Sequence, residues 1–152
     1  VLYSGTVSAA TEAAIMGFPS MAVSLDTHKE ADFTFAAKFA RKMTRMILNH
    51  REQLLGSAIN VNVPCLPQGK IKGVVVVRQA QTNIVEYFEK RTDPRENTYY
   101  WFAGESSSAT RQKDTDVGAL TSGFITVTPI HFDLTRHDLL DQLKDALEKN
   151  RF

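Results

Sequence analysis

The sequence is short of cysteine, of net charge and of long apolar runs. Cys65 stands alone, which excludes an intrachain disulfide framework and a cysteine-based structural zinc cluster. A reducing, cytoplasmic setting is the simplest reading of that scarcity. Lys and Arg number 18 against 17 Asp and Glu, leaving +1. Charge of that size gives no reason to expect nucleic acid or an anionic membrane as partner. No apolar run approaches the roughly 20 residues needed to span a bilayer, and no signal peptide opens the chain. G-x-G-x-x-G, the P-loop and the G-x-S-x-G elbow are all missing. His28, His50, His131 and His137 show no metal-site spacing on a shared helix. No internal repeat, low-complexity tract or interdomain linker interrupts the 152 residues, a length that suits one domain.

What is present is a core-forming composition, 43% apolar and 23% charged. Ala-rich Val7–Gly17 reads as a helix that packs closely on a neighbour. Ser4 or Thr6 can cap it, Gly17 can end it and Pro19 follows as a stop. Met21–Leu25 reads as a strand buried on both faces. From Phe33 to His50, the residues Ala36, Phe39, Ala40, Met43, Ile47 and His50 share one helical face. Ala58–Val63 is a strand ended by Pro64, and Val74–Val77 reads as a buried strand because all four residues are β-branched. Residues 82–102 predict a long hairpin, with turn composition from Thr92 to Asn97. Ser106–Asp114 reads as a loop and Thr115-Asp116 as the cap of a short helix, Val117–Ser122. Phe124–Val127 is a strand ended by Pro129. The last helix, Arg136–Asn150, carries a stripe of Leu139, Leu140, Leu143, Ala146 and Leu147. Alternating strands and helices predict an α/β sheet with helices packed on it.

Candidate chemistry is sparse. Ser4-Gly5-Thr6 puts two hydroxyls and a glycine at a helix N-terminus, where free N–H groups and the helix dipole favour a phosphate. Plain capping explains the same residues. Asp114-x-Asp116 is either a metal pair or a charged loop plus an N-cap, and capping is the simpler account. Lys38, Arg41, Lys42 and Arg45 read as a solvated helix face, since no aromatics interleave with them. Cys65, between Pro64 and Pro67, reads as a small apolar residue.

Several ordered blocks resemble the SurE family of survival-protein phosphatases and 5′-nucleotidases. Tyr3-Ser4-Gly5-Thr6-Val7 with Ala9-Ala10 resembles its YSGTVGAA segment. Asn60-Val61-Asn62-Val63-Pro64 resembles NVNxP, and Leu66-Pro67 with Ile71-Lys72-Gly73 resembles LP…IKG. Arg91-Thr92-Asp93-Pro94 and Tyr99-Tyr100-Trp101 resemble the RTDP…YYW hairpin. Thr115-Asp116-Val117, Gly123–Pro129 and Asp133-Leu134-Thr135 resemble TDV, GYVSVTP and DLT. Ser8 and Asp114 depart from positions where the family commonly has glycine.

The resemblance implies a Rossmann-like three-layer α/β fold with a projecting hairpin (82–102) and a C-terminal helix segment (131–152) that can be exchanged between subunits. It implies metal-assisted hydrolysis of nucleoside 5′-monophosphates or other phosphomonoesters, with Mg2+ or Mn2+, by a homodimer or homotetramer. It makes Ser4, Gly5 and Thr6 the phosphate-binding residues. Tyr99, Tyr100 and Trp101 become a substrate edge or a subunit interface. Asp133, Thr135 and His137 become a cap or a hinge of the exchanged segment. The family's metal ligands are an N-terminal Asp-Asp pair, a serine on a later loop and an asparagine shortly before YSGTV. None of these can be placed on this sequence, which starts at Val1 rather than Met. The chain therefore reads as the C-terminal part of a SurE-like protein, without the N-terminal half of the fold and inactive alone. The alternatives are a non-catalytic oligomerisation module and, from Lys38, Arg41, Lys42 and Arg45, a nucleic-acid binder.

Overall fold

A computed structural model describes residues 4–81, 83–107 and 112–150. Tyr3 of the first sequence block, Thr82 at the start of the expected hairpin, residues 108–111 of the expected loop and the last two residues of the 131–152 segment lie outside the described residues.

Ser4 begins the first helix, α1 (Gly5–Ile15). Its extended backbone and its Oγ, which accepts from the Val7 N–H at 3.4 Å, make it the N-cap. Gly17 closes the helix with φ +84°, a conformation that costs glycine no Cβ clash. The Phe18 N–H donates to Ala13 and the Gly17 N–H to Ala14, the paired bonds of a Schellman end.

Two parallel strands follow, β1 (Ser20–Asp26) and β2 (Ser57–Pro64), joined by the amphipathic helix α2 (Thr34–Asn49). A short strand β3 (Val74–Val76) comes next. The hairpin strands β4 (Asn83–Thr92) and β5 (Thr98–Ser107) lead to helix α3 (Asp116–Thr121), strand β6 (Ile125–His131) and helix α4 (Leu140–Asn150). The main sheet has the order β1-β2-β6-β3, with β2 antiparallel and β3 parallel to β6.

Strand alternation sorts the two faces. Ile59, Val61 and Val63 of β2, with Ile125 and Val127 of β6, point to α2 and pack with Ala36 and Ile47. Val61 and Val63 are 0% exposed. Burying each such side chain contributes about 1.5–3 kcal/mol. The opposite face is built for close approach and for polarity. Ala22 and Ala58 meet Val7, Ala10 and Ala14 of α1, while Ser24, Asn60 and Asn62 stand beside them. The result is three layers, α2 over one face and α1 with α3 over the other, as the α/β reading expects.

Several local expectations fail for one reason, that a strand's composition does not reveal how many neighbours it has. Val74–Val77 reads as buried, yet among the described residues β3 is an edge strand, with Val74 50% and Val76 75% exposed. The Met21–Leu25 strand, read as covered on both faces, pairs with β2 alone among the described residues and is only half buried beyond Ala22. Pro129 does not end β6, which runs on to His131. Opposite residues in an antiparallel ladder exchange both hydrogen bonds or neither, so the Pro129–Ile59 pair is a non-bonded one. The proline nitrogen then faces the β3 side, where pairing has stopped at Val127.

The hairpin ladder reaches Ser107 instead of Phe102, which takes Ser106 and Ser107 out of the expected loop. The last helix begins as a 3-10 turn, His137–Leu139. Cys65 is exposed just after β2 ends.

Candidate functional site

The polar face of the sheet and two helix starts enclose one cleft of about 230 Å³. Its floor is Ser24 of β1 with Asn60 and Asn62 of β2. One wall is Ser4 and Val7; the other is Asp116, Val117 and Leu120. Ser24 and Asn62 lie toward the C-terminal ends of the parallel pair, where ligands of open α/β sheets bind.

α1 presents its start to this cleft. The Val7 N–H is taken by Ser4 Oγ and the Ser8 N–H by the Ser4 carbonyl at 2.8 Å. The first two N–H groups, of Gly5 and Thr6, have no intrahelical acceptor. Both residues are exposed. A Cβ at Gly5 would meet no described atom within 4 Å. Donors with open space before them are what an anion needs at a helix N-terminus. Capping and donation coexist here, because Ser4 caps while Gly5 and Thr6 stay available.

The opposite wall is held by hydrogen bonds across the fold. Thr115, the α3 N-cap, accepts from the Gly118 N–H at 3.3 Å and donates to the Gln112 carbonyl at 2.6 Å. Gly118 packs against the Gln112 backbone so closely that a Cβ would collide with it. Asp116 Oδ1 accepts from the Ala80 and Val117 N–H groups, both at 2.8 Å. Asp114 instead pairs with exposed Arg78 at 2.9 Å, whose guanidinium holds that carboxyl below its ordinary range. The two aspartates of the Asp114-x-Asp116 motif thus have separate structural jobs. Among the described residues, no three His, Cys, Asp or Glu side chains gather where they could hold a metal ion.

Polar groups on the cleft face are unevenly satisfied. Asn62 Nδ2 donates to Thr126 Oγ1 at 3.4 Å. Ser20 Oγ, Asn60 Oδ1 and Thr128 Oγ1 are buried without a partner. Larger cavities exist, one of about 420 Å³ beside Cys65, Asp32 and Lys38 and one of about 510 Å³ beside β3. Neither combines a helix start with buried amides.

The other expected residues lie apart from the cleft. Tyr99, Tyr100 and Trp101 stand on β5 opposite Arg91, Lys90 and Glu89, all three exposed by 41–63%. The Arg91 guanidinium lies 5.1 Å from the Trp101 ring centre. Asp133, Thr135 and His137 do come together. Asp133 Oδ1 accepts from the Thr135 N–H at 2.8 Å and Oδ2 meets His137 Nε2 at 2.8 Å. Lys38, Arg41, Lys42 and Arg45 are exposed along α2. Among the described residues no helix is long and apolar enough to cross a membrane.

Residue-type reasoning did not single out Asn60, Asn62 and Ser24 as lining residues. The alternation Asn60-Val61-Asn62-Val63 was the available signal. Asparagine is a poor strand former, and at period two it marks a polar face.

The model of the family described as survival protein SurE matches residues 1–86. The chain belongs to the SurE family. The 5′-nucleotidase SurE of Syntrophus aciditrophicus is 53% identical over 150 residues, 98% of this chain and 56% of that protein. That of Moorella thermoacetica is 44% identical over 143 residues, 94% of this chain and 55% of that protein. The crystal structure of the SurE protein from Aquifex aeolicus superposes with a TM-score of 0.75 at 35% identity. It covers 95% of this chain and 58% of that one. The chain spans about half the length of the SurE relatives it matches. The matched family segment includes Ser4, Ser24, Asn60 and Asn62; the α3 wall lies beyond it.

Proposed function

We propose that the protein is a SurE-like phosphatase that hydrolyses nucleoside 5′-monophosphates, with the phosphoryl group held at the start of α1. The observation that carries this reading is the open, donor-rich N-terminus of α1 facing a cleft floored by Asn60 and Asn62. The N–H groups of Gly5 and Thr6 donate to phosphoryl oxygens, joined by the Ser4 and Thr6 hydroxyls. The helix dipole adds attraction that grows as negative charge develops in the transition state. The relatives' name, 5′-nucleotidase, supports the substrate class. A cytoplasmic setting accords with the single cysteine.

By the resemblance, Mg2+ or Mn2+ belongs to the complete activity. The described residues do not fit such an ion by themselves, because the buried carboxylate of the cleft has one oxygen committed to Ala80 and Val117. The part these residues play is the grip on phosphate. Acting alone, the chain is expected to bind phosphate weakly and to turn nothing over.

The test is phosphate release from nucleoside monophosphates with Mg2+ or Mn2+, comparing this chain with an N-terminally extended form, each with and without Ser4→Ala. Metal-dependent release by the extended form, with a raised KM in the variant, is expected. No release by the extended form ends the phosphatase reading.

A second reading, a non-catalytic oligomerisation module, draws on exposed apolar side chains. Phe88, Tyr100, Phe102, Leu143 and Leu147 are each at least 50% exposed. A monodisperse homodimer or homotetramer without ligand binding would favour it over the enzyme.

A further inference from the structure

A cavity outside the cleft plays no part in the phosphate grip. It holds about 290 Å³ in the seam between β3 and α3. Val75 and Val77 form its floor. Val75 stands beside Thr126 in the β3–β6 ladder, while Ile125 and Val127 on either side of Thr126 point to α2. Strand alternation therefore turns Val75 and Val77 toward α3. The helix sets only Ala119 against them, and Phe124 closes one side. Alanine is too small to fill the seam, and both valines stay half buried. Interiors are packed to the density of organic crystals, so a gap of this size between two elements has room for an apolar group from outside.

The rim is cationic. Lys72 and Lys113 line the same cavity, and among the described residues no carboxylate does. Contacts place Lys72. Its stem runs past Gly123, where an added Cβ would lie 3.9 Å from Lys72 Cε, and its ammonium is 5.9 Å from the centre of the Phe124 ring. Asp114, next to Lys113 in sequence, is engaged by Arg78 at 2.9 Å. In a chain with 18 cations and 17 acids, two ammoniums without an acid over apolar walls are a local imbalance. Apolar walls with a few charged groups are the make-up of a small-molecule pocket.

We propose that the seam binds a small organic anion, its apolar body against Val75, Val77, Ala119 and Phe124 and its acidic group at Lys72 and Lys113. A carboxylate or a phosphate can supply that group. The site does not rest on the phosphate grip at Ser4, because α3 stands between the two. Val117 and Leu120 line the cleft, whereas Ala119 and Ser122 line the seam on the other side of the helix. The Ser122 hydroxyl donates to the Gly118 carbonyl at 2.8 Å, so the lysines are left to hold the anion.

The experiment titrates the full-length protein with 1-naphthylmethylphosphonate, 1-naphthylacetate and 1-naphthaleneethanol and follows the methyl groups by NMR. The three probes share a ring system and differ in charge. At least one anion is expected to move the Val75, Val77 and Ala119 methyls, and the neutral alcohol to bind about tenfold more weakly. Lys72→Ala with Lys113→Ala should raise the Kd of that anion about tenfold. Added salt should weaken binding to the parent more than to the variant. Both lysines are exposed, so the variant keeps the fold. Preference for the phosphonate identifies a phosphate ester as the ligand class, and preference for the acetate identifies a carboxylate; either supports the site. No binding, equal binding of the alcohol, or an unchanged Kd in the double variant overturns the proposal. Shifts confined to Ser4–Val7 and Ser24 and lost in Ser4→Ala put the anion in the cleft. That result also overturns the seam site, and it leaves the phosphate grip standing.

Discussion

Asp116 and Ala80 are joined by a 2.8 Å hydrogen bond from a buried backbone N–H to a buried carboxylate oxygen, 36 residues apart in sequence. It ties the start of α3 to the segment that follows β3 and fixes one wall of the cleft. Asp116→Ala leaves the Ala80 N–H without its acceptor, and the Val117 N–H loses the same oxygen. The expected loss is about 2–4 kcal/mol, read from denaturant unfolding curves. Asp116→Asn keeps an acceptor oxygen and should lose less than half of that. An alanine variant as stable as the parent would show that this bond does not hold the wall.

Ile125 is 2% exposed and sits on the α2 face with Val61 and Val127. Ile125→Ala is expected to cost roughly 2–5 kcal/mol and Ile125→Val roughly 0.5–1.5 kcal/mol. The cleft lies on the opposite face, so any phosphate binding should survive in Ile125→Val. Equal losses in both variants would mean that the site collapses rather than leaving a cavity.

Asp133 carries a pH prediction. The Thr135 hydroxyl, then the Thr135 N–H and then His137 favour its charged form and hold its pKa well below the ordinary 3.8. A depressed carboxyl contributes stability that is present above its ordinary pKa and disappears as pH falls through the lowered one. The 133–137 turn should therefore stay intact at pH 3.8, where an ordinary aspartate is half protonated. Carbon-13 NMR of the Asp133 carboxyl should place its midpoint below 3.8, and Thr135→Val should raise it. A midpoint at the ordinary value would mean the turn is open in solution.

Leu143 and Leu147 are 61% and 50% exposed on α4. If a second chain covers them, Leu143→Glu with Leu147→Glu should lower the mass seen by light scattering to that of a single chain. Monomer stability should barely change, because surface positions rarely shift it by more than about 0.5 kcal/mol. An unchanged oligomer would place the contact elsewhere, with the hairpin the next candidate.

Local features were readable wherever the chemistry was local. Ser4 caps and Gly17 ends α1 through contacts within four residues. The α2 stripe found its core through Ala36 and Ile47, although His50 at its end stays exposed and bonds the Met46 carbonyl. What escaped depended on distance in sequence. The valines at 74–76 fit a buried strand and an edge strand equally well. Thr115 was legible as a cap, but nothing near Asp116 announced Ala80 as its donor. The cleft was half legible: hydroxyls and a glycine at a helix start pointed to Ser4–Thr6. The amides of Asn60 and Asn62 joined them only once β2 lay under α1.

Pro129 bears on how this molecule meets other molecules. A sheet edge recruits foreign strands through its free N–H and C=O groups. Among the described residues β6 has no strand beside it on the β3 side beyond Val127, and Pro129 removes a donor from that row. β3 itself offers only three residues of ladder. A stray extended segment arriving there would find too short a template to propagate. On this flank, self-recognition is left to side chains, whose shapes can discriminate a proper copy from a misfolded one, and backbone zippering is discouraged.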